Sequence, residues 1–198
     1  MFSIKTLSLG LTLALAAPLA ADTYTMDPAH TEIGFQTLHL GISKVRGHFT
    51  AYEGKVNINE KDITKSSLEV SISAASVETG NPKRNGHLGG PDFFDADKNP
   101  KITFKSSKIV KTTDGYDVSG DLTIRGNKKP VTLKATISDL TPTPWGVSKR
   151  AFSLEGSINR MDYGVAWGAK TPGGTLVVAE QVKLIIDGEL DKPDAKKK

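Results

Sequence analysis

"YDVSGDLTIRGNKKPVTLKATI", residues 116 to 137, decides the fold class. Tyr116, Val118, Gly120, Leu122 and Ile124 alternate with Asp117, Ser119, Asp121, Thr123 and Arg125. After the turn chemistry of "RGNKKP", the residues Val131, Leu133, Ala135 and Ile137 resume the same period. A period of two sends successive side chains to opposite faces, so one face is buried and the other wet. That is the pattern of antiparallel strands.

The alternation spreads in both directions. Leu68, Val70, Ile72 and Ala74 show it upstream, and Phe152, Leu154, Gly156 and Ile158 show it downstream. A last long run, over residues 175–190, offers Leu176, Val178, Val182, Leu184 and Ile186. Turn signals such as "TTDGY", "TPTPWG" and "KTPGG" separate the runs. Strands at this spacing, about eight in all, predict an all-β sandwich or barrel. The long strands favour a barrel, as do the mid-strand glycines Gly34, Gly47, Gly120 and Gly156, which suit corners and close interior approaches. Closure removes exposed edges, and about eight strands enclose just enough room for one small ligand.

Composition sets limits on function. The 198 residues suit one domain with a tail, and 37% apolar residues supply one core. The net charge is +4, but the lysines are scattered among acids, and the one run is Lys196–Lys198. A basic stripe interleaved with aromatics is missing, which argues against nucleic-acid binding. There is no cysteine, so thiolate metal sites, cysteine nucleophiles and disulfides are excluded. Neither a G-x-S-x-G elbow nor a glycine-rich phosphate loop before a helix occurs. No enzyme is expected, and no cofactor.

"MFSIKTLSLGLTLALAAPLAAD" has the layout of a secretory signal: Lys5 early, an apolar run from Leu7 to Ala17, then small residues. That run is shorter than the roughly 20 residues of a membrane span. The chain is therefore divided into a leader over 1–21, cleaved after Ala20 or Ala21, a barrel domain over 22–191 and a basic tail over 192–198.

One stretch breaks the strand pattern. In "NGHLGGPDFFDADKNPKITFKS", residues 85–106, Pro91 with Asp92 behind it suits the start of a short helical turn. A helical insertion is expected near residues 84–96. Phe93 and Phe94 cannot both face water comfortably, so this stretch is expected to plug or border one end of the barrel.

Four segments together resemble the YceI-like family: "DPAHTEIGFQTLHLGISKVRGHF" (27–49), "SLEVSISAASVETGNPKRNGHLGGPDFFDADKNPKITFKS" (67–106), "GDLTIRGNKKPVTL" (120–133) and "INRMDYGV" (158–165). The similarity runs in order over nearly all of residues 22–190. It implies an extended, lipocalin-like antiparallel barrel exported to the periplasm, holding a long isoprenoid or similar lipid, with no established enzymatic chemistry. Two departures stand out: Gly89 and Gly90 replace a polar residue and a serine, and Tyr163 stands where phenylalanine is usual.

The partner expected is thus a long-chain lipid, a quinone or a prenyl phosphate, bound by a monomer or homodimer. Inward positions should form the wall: Ile33, Phe35, Val45, Phe49, Phe104, Leu122, Ile124, Phe152, Ile158 and Trp167, with Phe93 and Phe94 at the rim. Lys83, Arg84 and Arg125 could meet a phosphate, and Asp162 beside Arg160 reads as a salt bridge. Two alternatives stand: a ligand-free envelope stress or structural protein, and a metal-dependent enzyme. The latter would bring His39 and His48 together across a hairpin, with Asp27 or Glu32 as third ligand.

Overall fold

The structure, a computed structural model, describes residues 21–193. The expected leader up to residue 20 and residues 194–198 of the expected tail lie outside the described residues. The elements are β1 (Asp22–Met26), β2 (Glu32–His39), β3 (Ser43–Phe49), β4 (Tyr52–Ile58), β5 (Ser67–Ser73), β6 (Val77–Glu78), α1 (Pro82–Gly89), β7 (Lys101–Lys111), β8 (Tyr116–Ile124), β9 (Asn127–Ile137), β10 (Thr141–Pro142), β11 (Val147–Asn159) and β12 (Val178–Pro193). Three short 3-10 turns, at Ile63–Lys65, Ala74–Ser76 and Arg160–Tyr163, complete the set.

The strands form the expected closed antiparallel barrel. Its ring runs β11-β9-β8-β7-β5-β4-β1-β12, and β12 pairs back onto β11. One edge of β12 meets β11 from Val147↔Pro193 to Asn159↔Gln181. The other edge meets β1 at Met26↔Leu190 and then β2 from Glu32↔Asp187 to His39↔Val178. The pairs β1/β2 and β3/β4 therefore behave as single staves, each interrupted once. The last strand ends at Pro193, and Lys192, assigned from sequence to the tail, lies within it, 2.6 Å from Asp22.

The hairpin that decided the fold class is built as its sequence requires. Ile124 pairs with Asn127, leaving Arg125 and Gly126 as a two-residue turn. Both have positive φ, 48° and 73°, the geometry that matches strand twist. Within β8, a Cβ on Gly120 would lie 2.4 Å from the Lys105 carbonyl and 2.7 Å from the Phe104 ring. Only glycine lets β7 and β8 approach there.

The helix begins earlier than Pro91. Pro82 occupies the first turn, where no N–H is needed, and the Asn81 side chain accepts from the Arg84 N–H at 3.1 Å. Pro91 instead opens a run of turns that carries Phe93 and Phe94 over the barrel end.

Replacing Gly120 with alanine is expected to destabilise the fold by about 1–3 kcal/mol, read as a lower urea midpoint. Gly86, in α1, has open space where a Cβ would go. Gly86→Ala should instead stabilise by about 0.5–1 kcal/mol, read in the same titration.

An apolar cavity as the candidate functional site

The barrel is hollow. A cavity of about 240 Å³ runs inside it, room for on the order of twenty water-sized spheres rather than a packing defect. Ile33 and Phe35 on β2, Phe49 on β3, Phe104 on β7 and Leu122 and Ile124 on β8 line it. Phe152 and Ile158 on β11 do so too, with Phe93 and Phe94 reaching in from the turns after α1.

Val45 and Trp167 do not line the cavity among the described residues. Val45 sits on β3 opposite Thr37, toward the β2–β3 hairpin at the end of that stave. Trp167 packs outside Phe93, their ring centroids 5.5 Å apart, with His87 edge-on to both. Pattern reading also missed Ile109. A bulge between Ser106 and Lys108 switches which side of β7 faces inward, so Ile102, Phe104 and then Ile109 line the wall.

One end of the cavity is sealed. Phe93, Tyr163 and Val165 are buried there. The turns over this end are pinned by Arg125, whose Nη1 donates to the Pro91 and Phe93 carbonyls at 2.6 Å each. Arg84 likewise donates to Thr79 Oγ1 at 2.8 Å and to the Thr79 carbonyl at 2.7 Å. Both guanidinium groups expected near a phosphate thus serve the backbone. A Cβ on Gly89 would meet nothing within 4 Å. At the other end, Tyr24, Val56, Ile58 and Leu190 fill the β1/β4/β12 side. Ser67 at the start of β5 and Thr136 at the end of β9 are lining residues on that side that are also exposed.

Among the described residues, Arg160 is the one cation in the wall. It is 4% exposed and forms no ion pair with Asp162 among the described residues. Its Nε donates to Ala179 O at 3.0 Å, its Nη2 to Trp167 O at 2.9 Å and Val178 O at 3.0 Å, and its Nη1 to Val165 O. Burial pulls its pKa below the usual arginine range. The expected salt bridge is therefore a carbonyl clamp: four main-chain oxygens, from the segment after the last 3-10 turn and from the start of β12, converge on one fork. A lysine cannot present that fork.

The histidines do not assemble as imagined for a metal. His39 pairs with Ser43 and His48 with Gly34, so the hairpin register separates them. Asp27 instead gathers with His30 and Glu189. That group does not suit a divalent ion, because Lys149 Nζ already sits 2.6 Å from Asp27, 2.9 Å from Glu189 and 2.8 Å from Asp191. Hydrogen bonds from Lys149, then His30, hold the Asp27 carboxyl well below the usual carboxylate range. Asp191, Asp27 and Glu189 in turn hold the Lys149 ammonium above the usual lysine range.

A closed antiparallel β-barrel with an apolar interior is a barrel of the lipocalin-like class. The YceI-like domain profile matches residues 24–190. Protein YceI of Escherichia coli O157:H7 is 35% identical over 188 residues, covering 91% of this chain and 95% of its own. A crystal structure of a Campylobacter jejuni YceI protein is 35% identical, with TM-score 0.69, covering 86% of this chain and 98% of that one. A polyisoprenoid-binding domain from Saccharophagus degradans, implicated in plant cell wall breakdown, shares the fold at TM-score 0.61 and 15% identity, covering 87% and 99% of the two chains. The chain belongs to the YceI-like family.

Substitutions at two positions test this geometry. Arg160→Met strands four carbonyls and is expected to cost at least about 2 kcal/mol; Arg160→Lys should recover little of it. Hydrogen exchange should rise first over residues 165–179. For the acidic group the sign follows from the depressed Asp27 pKa: its contribution is complete above about pH 4 and fades as pH falls. Lys149→Met leaves three carboxylates facing one another, so its melting point should lie furthest below wild type near pH 7. The gap should narrow as acid protonates them.

Proposed function

We propose that the protein binds and carries a long-chain isoprenoid or similar lipid inside the barrel, in the periplasm. The observation that carries this reading is the continuous apolar cavity. Each methylene buried there contributes roughly 0.8 kcal/mol, so the part of a prenyl chain that the cavity encloses offers a gross gain on the order of 10 kcal/mol, of which ordering and association costs leave a part. An apolar wall alone therefore supports tight binding, without a polar motif in the sequence. The leader-like stretch before Asp22 supports export. The polyisoprenoid-binding description of the Saccharophagus domain, which shares the fold, agrees with the choice of ligand.

The cavity speaks against a ligand-free structural barrel, whose middle would be packed. The separation of His39 from His48 and the Lys149 cage around Asp27 speak against a histidine-based metal enzyme.

Organic extracts of natively purified protein should contain a lipid at near-stoichiometric yield by mass spectrometry. Ala135, a lining residue opposite Tyr116 on β8, gives a way to fill the space. Ala135→Phe should keep the strand signal in circular dichroism while lipid affinity drops at least about tenfold, or 1.4 kcal/mol. Repeated recovery of no lipid from the unaltered protein would overturn the proposal.

A further inference from the structure

We propose that the link from β4 to β5, residues 59–66, is a gate over the plugged end of the cavity, with Glu60 as its latch. The gate rests on the reading of the cavity as a cargo site; the latch is argued from the link's own contacts.

The link ties itself into a unit. The Asn59 N–H donates to Ser66 Oγ at 3.0 Å, and Asn59 Oδ1 accepts from the Lys61 and Asp62 N–H groups at 3.1 and 3.0 Å. Asp62 caps the 3-10 turn Ile63–Lys65, accepting from the Thr64 N–H at 3.1 Å. The β4/β5 ladder stops at Asn57↔Ser67. Beyond that ladder, among the described residues, the polar ties from the link to the rest of the barrel all run through the Glu60 carboxylate. Tyr24 on β1 and Arg150 Nη2 on β11 both donate to it, and Lys192 Nζ on β12 lies 3.6 Å away. Burial works against the charge of Glu60, but hydrogen bonds from Tyr24 and Arg150 hold its carboxyl below the usual range. The latch is therefore charged at neutral pH.

Its position suits a gate. Ile63 and Ser66 of the link line the cavity, and Ile63 packs on the plug of Tyr24, Val56, Ile58 and Leu190. Arg150 and Lys192 stand two residues beyond Phe152 and Leu190, on the same parity of their strands. Lys192 Nζ also sits 5.8 Å from the centroid of the Tyr24 ring. The ionic layer thus covers the apolar plug at its outer side. One carboxylate joins the link to three strands of the ring, so swinging the link outward lifts Ile63 off the plug and frees the Tyr24 hydroxyl. The parted charges then meet water, whereas opening the ceiling would leave carbonyls in an apolar interior.

The test is exchange of N-phenyl-1-naphthylamine, an apolar dye, followed by stopped-flow fluorescence. Glu60→Ala should raise the uptake and release rates together by at least about tenfold, the equivalent of one charge-assisted hydrogen bond lost from the closed state. The dissociation constant should stay within about twofold, since a gate alters the barrier and not the bound state. A purely structural role would lower the melting point without that paired change in rates. The chain has no cysteine, so Glu60→Cys with Lys192→Cys sets a unique pair across the latch, which bismaleimidoethane can bridge. The bridged protein should exchange dye at least about tenfold more slowly than the same variant unbridged. Exchange that the bridge leaves unchanged would overturn the gate, as would unaltered rates in Glu60→Ala. Either result, with lipid present in native extracts, would leave the proposed function standing. Extracts without lipid, together with no dye uptake, would overturn both.

Discussion

The seam between the last strand and the rest of the sheet governs everything else in this molecule. β12 is hydrogen-bonded along both edges, to β11 on one side and to the β1/β2 stave on the other. Without it, β11 and β1 would each present an open edge, which invites pairing with other chains. The ionic cage sits on this seam: Lys149 belongs to β11, Glu189 and Asp191 to β12, and Asp27 follows β1. Attraction there acts across the closing staves and ties three segments by one ammonium. Because that group is partly exposed, its value lies in fixing register rather than in a large free energy.

Closure creates a ring, and the ring leaves a problem in its middle. An empty cavity of about 240 Å³ costs on the order of 6 kcal/mol by the relation between cavity volume and core stability, comparable with the whole stability of an ordinary domain. The packed ends offset part of this. Tyr24, Val56, Ile58 and Leu190 plug one side of the floor, and Phe93, Tyr163 and Val165 close the ceiling. A ligand that fills the middle stabilises the native state further by mass action. On the proposed function, hollow interior and apolar cargo are one thermodynamic arrangement.

The sequence carried the barrel well because period-two alternation is local: Tyr116 to Ile124 and Val131 to Ile137 each declare an inner face without reference to any partner. The wall followed wherever that alternation ran unbroken, as at Leu122, Ile124 and Ile158. It failed where register depends on something non-local. The bulge at Ser106–Lys108 is invisible in composition, so Ile109 was overlooked. Val45 keeps the right parity but lies nearer the β2–β3 hairpin than the lining residues Phe49 and Phe35. Trp167, expected in the wall as an inward position, takes its place instead from stacking on Phe93 and His87. Arg160 was misjudged for the same reason: Asp162 is near in sequence, but the carbonyls that claim the guanidinium come from residues as distant as Ala179. Helix placement turned on which proline had a cap. Asn81 precedes Pro82 with a side chain able to accept, whereas Pro91 follows two glycines that offer none.

The two ends of the cavity differ in kind, and this constrains how any cargo moves. The ceiling is held by donors that are already used: Arg125 on the Pro91 and Phe93 carbonyls, and Arg160 on four carbonyls of the segments flanking it. Opening it would expose those carbonyls to an apolar interior, each at a cost of about 1–3 kcal/mol. The opposite end, filled by Tyr24, Val56, Ile58 and Leu190, is held by apolar packing and needs no such rupture. On the proposed function, a lipid would enter and leave through that less tightly held end, and the barrel would act as a container that exchanges its contents rather than as a conduit that passes them through.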